Sequence, residues 1–277
     1  MPVIALTQGM GSLAQDIAEK LAQDLGLLNL EHEVADRVAD KMHVSRSLIN
    51  RLRSGKVGLI EGWRADKQAM AIYTAAEVLD AAARGNVVIR GWGATQLLRT
   101  VPHVPCIRIM RPLAQRVDWL MKQLDTDDRA LATSEIHRSD QANATRMNEQ
   151  FGVQWGDPVL FDMVLNTERL SVATCVEQIR NLLVRAEFTE TQGSMRRLKG
   201  LALCAHVRAA LSANKDTHAI DIEIECIEGC VTLRGIVADE AERSATVRVT
   251  ESIAGVKSIE NKLQAISDAR RFPTSRN

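Results

Sequence analysis

Between Val3 and Leu25 the chain passes from the apolar run Val3-Ile4-Ala5-Leu6, through the turn Thr7-Gln8-Gly9-Met10-Gly11-Ser12, into a stripe of Leu13, Ile17, Leu21 and Leu25 at helical spacing. An apolar run without alternation reads as a strand buried on both faces, and the stripe reads as the face of a helix packed back onto it. Strand, glycine turn and helix in this order commit the start of the chain to an α/β layer. Such a turn aims backbone N–H groups and a helix N-terminus at an anion. A full phosphate loop also carries a lysine for the terminal phosphates and a hydroxyl for magnesium; here the hydroxyl of Ser12 stands without the lysine. We therefore expect Gly9, Met10, Gly11 and Ser12 to form a cofactor-binding anion cradle, with Ser12 the candidate metal contact. The competing reading is an ordinary turn with Ser12 as the helix N-cap.

Short apolar runs keep alternating with longer helical patterns through the first two thirds of the chain. Leu27–Leu30, Val87–Gly91, Cys106–Met110 and Leu160–Leu165 are the further candidate strands, and this alternation predicts an α/β domain with a parallel sheet wrapped by helices. Between the second and third strands, residues 31–84 read as one long helical stretch ended by the turn pair Gly85-Asn86. Arg111-Pro112 starts a helix through Trp119 and Leu124. The run from Thr126 to Gln150 carries several basic residues and few large apolar ones, which predicts a mobile, solvated segment. Val172, Cys175, Val176, Ile179 and Leu183 mark the last helix of this domain.

At Glu187–Ser194 the apolar period gives way to Thr, Gln, Gly and Ser, the composition of a linker. The expected division is a first domain at 1–187, a linker at 188–196, a second domain at 197–267 and a frayed basic tail at 268–277. In the second domain Leu198–Ser212 is helical, and Ile220, Ile222, Ile224 and Cys226 alternate with acids. Gly229 turns the chain into an antiparallel partner carrying Val231, Leu233 and Val237. Ala238–Ala254 returns to helix, Gly255 ends it, and Lys257–Ile266 is a third strand, so the domain is a small α+β unit of order αββαβ. Cys226 and Cys230 flank the hairpin turn, but strand parity sends them to opposite faces and no disulfide between them is expected.

Lys plus Arg and Asp plus Glu both number 35, leaving no formal net charge and no long-range field toward nucleic acid or an anionic membrane. The chain has neither a long apolar run of membrane-spanning length nor a basic start followed by an apolar segment, so we expect it to be soluble and unexported. Five scattered cysteines without a CxxC spacing fit a reducing, cytoplasmic setting. Glu31, His32 and Glu33 suggest a metal by type, yet adjacent residues at one helix start point in different directions, and we read them as capping and solvating groups. His103 and His137 lack a serine or cysteine at a recognisable spacing, and no nucleophile is assigned.

Four stretches occur in a telling order: Ile17-Ala18-Glu19-Lys20-Leu21-Ala22 after the glycine turn, Val88-Ile89-Arg90-Gly91-Trp92-Gly93-Ala94, Arg111-Pro112-Leu113-Ala114-Gln115-Arg116-Val117, and Asp140 followed by Trp155-Gly156-Asp157-Pro158 and Phe161-Asp162-Met163-Val164-Leu165-Asn166-Thr167. They resemble the start, the Gly-Arg-Gly-Ala turn, the lid-entry helix and the closing segment of the cytidylate-kinase-like family of nucleoside monophosphate kinases, which have a P-loop NTPase fold. The remainder, through Glu228–Gly235 and Ile253–Val256, is similar to a BON domain. The first resemblance implies transfer of the gamma-phosphoryl group of ATP to CMP or a related nucleotide, with ATP and Mg2+ as cofactors. It implies Arg116 as the group neutralising transferring charge, Arg138 and Asp140 as catalytic lid residues, and Arg90 and Trp92 on the substrate side. The second implies phospholipid or partner binding. Because Asp221, Glu223 and Glu225 line one strand face, a protein partner or self-association is the expected use rather than a membrane.

Three departures from the family pattern bear on activity. Leu13, Ala14 and Gln15 stand where further glycines and a basic residue are expected, Trp92 replaces an arginine, and Asn143 occupies the place of a lid arginine. Phosphoryl transfer depends on positioning and on cancelling charge, an arginine finger alone contributing ~10³–10⁵ in rate. The sequence thus predicts a nucleotide-binding transferase of weakened activity or, alternatively, a catalytically silent nucleotide-sensing or scaffolding pseudoenzyme that acts through its BON domain. Trp92 either stacks on a base or plugs the cleft. Asp140 and Asp162 either orient lid arginines and magnesium or serve as salt-bridge and cap residues.

Overall fold

A computed structural model describes residues 1–30, 32–56 and 67–266, with the His32 side chain excepted. The chain divides into two compact units, Met1–Ser194 and Met195–Asn277. In the first, β1 (Val3–Gln8), β2 (Leu28–Leu30), β3 (Val87–Arg90), β4 (Cys106–Met110) and β5 (Met163–Asn166) form a parallel sheet of order β2-β3-β1-β4-β5. The expected strands are all present, with β5 beginning later than Leu160 because Pro158–Leu160 makes a short 3-10 turn. The helices are α1 (Ala14–Leu25), α2 (His32–Met42), α3 (Arg46–Ser54), α4 (Lys67–Arg84), α5 (Ala94–Leu97), α6 (Leu113–Leu124), α7 (Arg129–Phe151) and α8 (Val172–Leu183).

One face of the sheet meets α1 and α8. Ile4, Leu6, Val88, Ile107 and Ile109 pack there against Ala14, Ile17, Ala18 and Leu21 of α1 and against Cys175, Val176 and Ile179 of α8. The stripe read from the sequence is therefore the buried face of α1. Its first member is the exception, because Leu13 sits before the helix. The strand order reverses at β1, whose neighbours are β3 on one side and β4 on the other. In open α/β sheets this switch point at the carboxyl ends of the strands is where ligands bind, and the turns after β1, β3 and β4 all open onto it.

The helical stretch expected at 31–84 consists, among the described residues, of α2, α3 and α4. The first ends at Met42, with His43 at φ +54°, Ser45 caps the next, its Oγ accepting the Leu48 N–H at 3.3 Å, and Gly55 at φ +68° closes α3. Glu31 and residues 57–66 lie outside the described residues, as does the acid-histidine-acid reading where it rests on Glu31 and the His32 side chain. One expectation is corrected: Thr126–Gln150, expected to be a mobile segment, holds most of the long helix α7, though much of its surface is solvated as expected. Asp128 caps its start by accepting the Leu131 N–H at 2.9 Å, and Gly152 at φ +64° closes its end. Ala132 and Ile136 pack against Val117 and Leu120 of α6. So few large side chains suffice because alanines bring the helix backbone close to its neighbours, while propensity holds the exposed turns.

The second unit contains α9 (Gln192–Ala213), β6 (Glu223–Ile227), β7 (Cys230–Val237), α10 (Glu240–Glu251) and β8 (Ser258–Ala265). Its sheet has the order β6-β7-β8, with β6 and β7 antiparallel and β7 and β8 parallel. This is the expected αββαβ unit, with Ile222, Cys226, Val231 and Leu233 facing the helices and Asp221, Glu223 and Glu225 facing solvent. The expected tail at 268–277 lies outside the described residues.

Candidate phosphate cradle and cleft

The turn after β1 is built around an arginine side chain. Arg116, buried on α6, donates Nε to the Met10 carbonyl at 2.6 Å. It also gives Nη1 and Nη2 to the two carboxylate oxygens of Asp140 at 2.9 and 2.7 Å. A Cβ at residue 9 would stand 2.8 Å from Arg116 Nη2, so a larger residue there would have to displace this guanidinium. Gly11, at φ +79°, is likewise pressed against the Trp119 ring. Asp140 projects from α7 toward Arg116, whereas Arg138, two residues earlier, points elsewhere and pairs with Glu135. Residues two apart on a helix do not share a face. The structure thus joins Arg116 and Asp140 but separates both from Arg138.

Gln8, Gly9, Met10, Gly11, Ser12 and Arg90 line a cavity of about 240 Å³ at the start of α1. Ser12 is not the helix cap: that place falls to Leu13, in the left-handed conformation at φ +62° with no side-chain capping bond. The Ser12 hydroxyl is buried with no hydrogen-bond partner among the described residues. Its carbonyl accepts Thr167 Oγ1 at 3.0 Å, which ties the turn to the end of β5. An unpartnered hydroxyl, the first-turn residues Ala14, Gln15 and Asp16 lining the same cavity, and the positive end of a 12-residue helix together suit an anion. Arg90, buried beside the cavity, is lowered from its ordinary pKa by burial, with Glu19 and Asp16 acting in the opposite direction.

After β3, Trp92 is buried at φ +59° between two glycines that also have positive φ. The Arg53 guanidinium lies 3.8 Å from the centre of its ring. Arg146 donates to the Arg53 carbonyl at 3.2 Å and to the Asn143 side chain. Burial and the neighbouring Arg146 push the Arg53 pKa down to about 10, and burial also lowers Arg146. Where the sequence lacks arginines at 92 and 143, guanidinium groups from α3 and one turn further along α7 occupy the same neighbourhoods. Sequence reasoning missed Arg53, because only the packing of α3 onto the turn reveals it. Arg138, Arg146, Leu52, Met70, Ala71 and Ala142 border a second cavity, of about 630 Å³.

Arg108 was also missed. It sits on β4, buried, with its Cζ 4.5 Å from the Trp155 ring and 5.6 Å from that of Phe161. Asp162 is structural: its carboxylate accepts the Cys106 N–H at 2.7 Å between β4 and β5. His103 is buried in the turn before β4, its Nδ1 2.8 Å from Ser194 Oγ, and burial lowers its pKa. Among the described residues no group of three or more His, Cys, Asp or Glu side chains is arranged to hold a metal, and no helix is long and apolar enough to cross a membrane.

Residues 3–169 match the model of the cytidylate kinase-like family, and residues 201–266 match that of the BON domain. The cytidylate kinase of Ignicoccus hospitalis is 27% identical over 192 residues, spanning 66% of this chain and 100% of that protein. Among solved structures, an uncharacterized protein from Eubacterium ventriosum is similar in fold, with a TM-score of 0.53 and 19% identity over 67% of this chain and 100% of its own. A shikimate kinase from Acinetobacter baumannii, solved with shikimate, has a TM-score of 0.42 and 10% identity, over 66% of this chain and 93% of its own.

Proposed function

The chain belongs to the cytidylate kinase-like family and carries a BON domain after it, and from that premise we propose that its first unit binds a nucleotide through the cradle at Gly9–Ser12 while transferring phosphoryl groups slowly. The observation that carries this reading is the state of Arg116. All three of its nitrogens donate, two to Asp140 and one to the Met10 carbonyl, so three of its five N–H groups are engaged and its charge is paired with a carboxylate. A guanidinium held this way shapes the turn and has less charge to offer a transferring group.

The cradle fits the phosphates of ATP, on the strength of the buried, unpartnered Ser12 hydroxyl and the N-terminus of α1. Ser12 and Asp16, which also lines the cavity, are the candidates to hold Mg2+, an ion that phosphoryl-transfer sites bind through one or two side chains plus substrate phosphates. Bound ATP supplies the transferable group and Mg2+ offsets its charge. On the acceptor side, Arg138 and Arg146 border a cleft whose other walls include Leu52 and Met70, a mixture that suits the phosphate and base of CMP or a related nucleotide. Trp92 is occupied by Arg53 rather than open to a base, which supports the plugging role.

A second reading, a silent nucleotide sensor or scaffold acting through the BON domain, is favoured by Leu13. It holds a left-handed position natural to glycine and puts a bulky side chain at the mouth of a cradle that lacks a lysine. In either case we propose a protein partner or self-association for the second unit, and a cytoplasmic setting in keeping with five free thiols.

Thermal shift with ATP, CMP and Mg2+, followed by coupled measurement of ADP release, tests the proposal. A ligand at 100 times its Kd adds about 2.7 kcal/mol of stability. A shift with slow ADP release supports the leading reading. A shift without release supports the sensor, and no shift with any nucleotide defeats the cradle assignment.

A further inference from the structure

Gly200 and Cys204 lie about one turn apart on α9, and both face β6. A Cβ at residue 200 would stand 2.5 Å from the Cys226 carbonyl oxygen, so the helix backbone runs directly against the strand here. The Cys204 thiol donates to the Ile224 carbonyl at 3.5 Å. Residues 224 and 226 share the inward side of β6, and Cys204 packs against the buried cluster that contains Cys226. Bridging two cysteines without moving the backbone needs this kind of close approach, with side chains converging. Cys230, by contrast, is exposed and stands opposite Ile227, whereas Cys226 stands opposite Val231 on the buried face.

We propose that Cys204 and Cys226 form a redox modification site, in which a peroxide oxidises Cys204 and Cys226 then closes a reversible disulfide within the second unit. Cys204 is half-buried and reachable, whereas Cys226 is buried. The neighbouring Cys226 holds the Cys204 thiol below its ordinary range against the effect of burial, with Arg208 acting in the same direction. The nearness of Cys204, together with burial, raises the Cys226 thiol, which suits a group that keeps its proton until it resolves the intermediate.

In the first step the Cys204 thiolate attacks one oxygen of hydrogen peroxide. The O–O bond breaks, the departing hydroxide takes a proton and leaves as water, and the sulfur carries a hydroxyl group. In the second step the Cys226 sulfur attacks the Cys204 sulfur. The S–S bond forms, the S–O bond breaks, and the hydroxyl leaves as water with the Cys226 proton. Two thiols lose two electrons in all, one peroxide becomes two waters, and a dithiol reductant reverses the change.

The reduced full chain, exposed to stoichiometric hydrogen peroxide, alkylated and digested without reduction, tests this by mass spectrometry. The expected product is a linked pair of peptides, one containing Cys204 and the other Cys226, with the thiol count falling from five to three. Cleavage at Arg208 separates the two cysteines. Because Cys226 and Cys230 share a tryptic peptide, the Cys230→Ser variant, altered at an exposed position, decides which one is linked. Retention of the link there, its loss in Cys204→Ser, its reversal by dithiothreitol and a rise of several degrees in the melting midpoint on oxidation all support the site. Oxidation confined to Cys230, a link lost in Cys230→Ser, or no link in the wild type overturns it.

Discussion

Asp140 grips Arg116 through two parallel hydrogen bonds, Oδ1 to Nη2 at 2.7 Å and Oδ2 to Nη1 at 2.9 Å, and so fixes the arginine around which the glycine turn closes. The Arg116 side chain is 11% exposed and that of Asp140 28%, so the pair is partly shielded from water. Asp140→Asn keeps the shape but removes the charge, at a cost of about 1–3 kcal/mol to stability. Arg116 is then freer to meet a phosphate. The expected outcome, measured by urea denaturation and nucleotide thermal shift, is a less stable protein with a larger shift on ATP. Arg116→Ala should lose both stability and shift. If Asp140→Asn weakens the ATP shift as much as Arg116→Ala does, the carboxylate is not restraining the arginine.

The stack of Arg53 on Trp92 places a cation over a buried indole, with a second arginine bonded to the Arg53 backbone. Trp92→Ala opens a cavity at the switch point and removes the ring. Loss of about 3–5 kcal/mol is expected from the large-to-small change, and Trp92→Phe, which keeps an aromatic face, should lose about 1–2 kcal/mol. Equal losses in the two variants would mean that the indole edge, not the stack, is what matters.

Much of this architecture was legible in the sequence. Unbroken apolar runs such as Val3–Leu6 announce strands buried on both faces, and alternating Ile222, Ile224 and Cys226 announce a strand buried on one. The glycine turn was legible because Gly9 and Gly11 answer to close contacts with Arg116 and Trp119 and to the positive φ of Gly11. Less legible was α7, whose hold on its neighbours depends on alanines that carry little hydrophobic signal. The partner of Asp140 lies 24 residues away and that of Trp92 lies 39 residues away, separations counted from their numbers. Neither spacing belongs to a helix or strand period, so no pattern in one sequence marks Arg53 as the cation over Trp92. The left-handed backbone at Leu13 has no sequence signal either, because the residue there is not glycine.

Glu77 on α4 supplies a pH test. Burial opposes its ionisation, but the bonds from Lys41 at 2.7 Å and Arg37 at 3.0 Å outweigh that effect and hold the carboxyl below its ordinary range. A depressed folded pKa means that the unfolded chain binds the proton more readily. The contribution of Glu77 to stability is therefore complete above the unfolded pKa of about 4.3 and is lost as pH falls through the folded value. Glu77→Gln should be less stable by about 1–2 kcal/mol at pH 7, and the gap between variant and wild type should narrow below about pH 4. Urea midpoints from pH 7 to pH 3 measure it, and a gap that stays constant over this range would rule out the linkage.

Arg108 poses the opposite case, a buried cation whose bonds are incomplete. Its Nε and Nη1 atoms have no hydrogen-bond partner among the described residues, and burial lowers its pKa, with Asp140 partly offsetting the effect. The face of Trp155, 4.5 Å from Cζ, returns about 1–2 kcal/mol. Leaving buried donors unbonded costs as much or more. Methionine has a similar reach, fills the slot beside Gly156 without polar atoms, and keeps a favourable sulfur contact with the aromatic rings. Arg108→Met should therefore fold with unchanged or increased stability, by about 1 kcal/mol, as buried charges replaced by apolar groups of similar volume often do. A drop of more than about 1 kcal/mol in urea denaturation would instead mean that the guanidinium has bonding partners in solution, such as ordered water, that repay its burial.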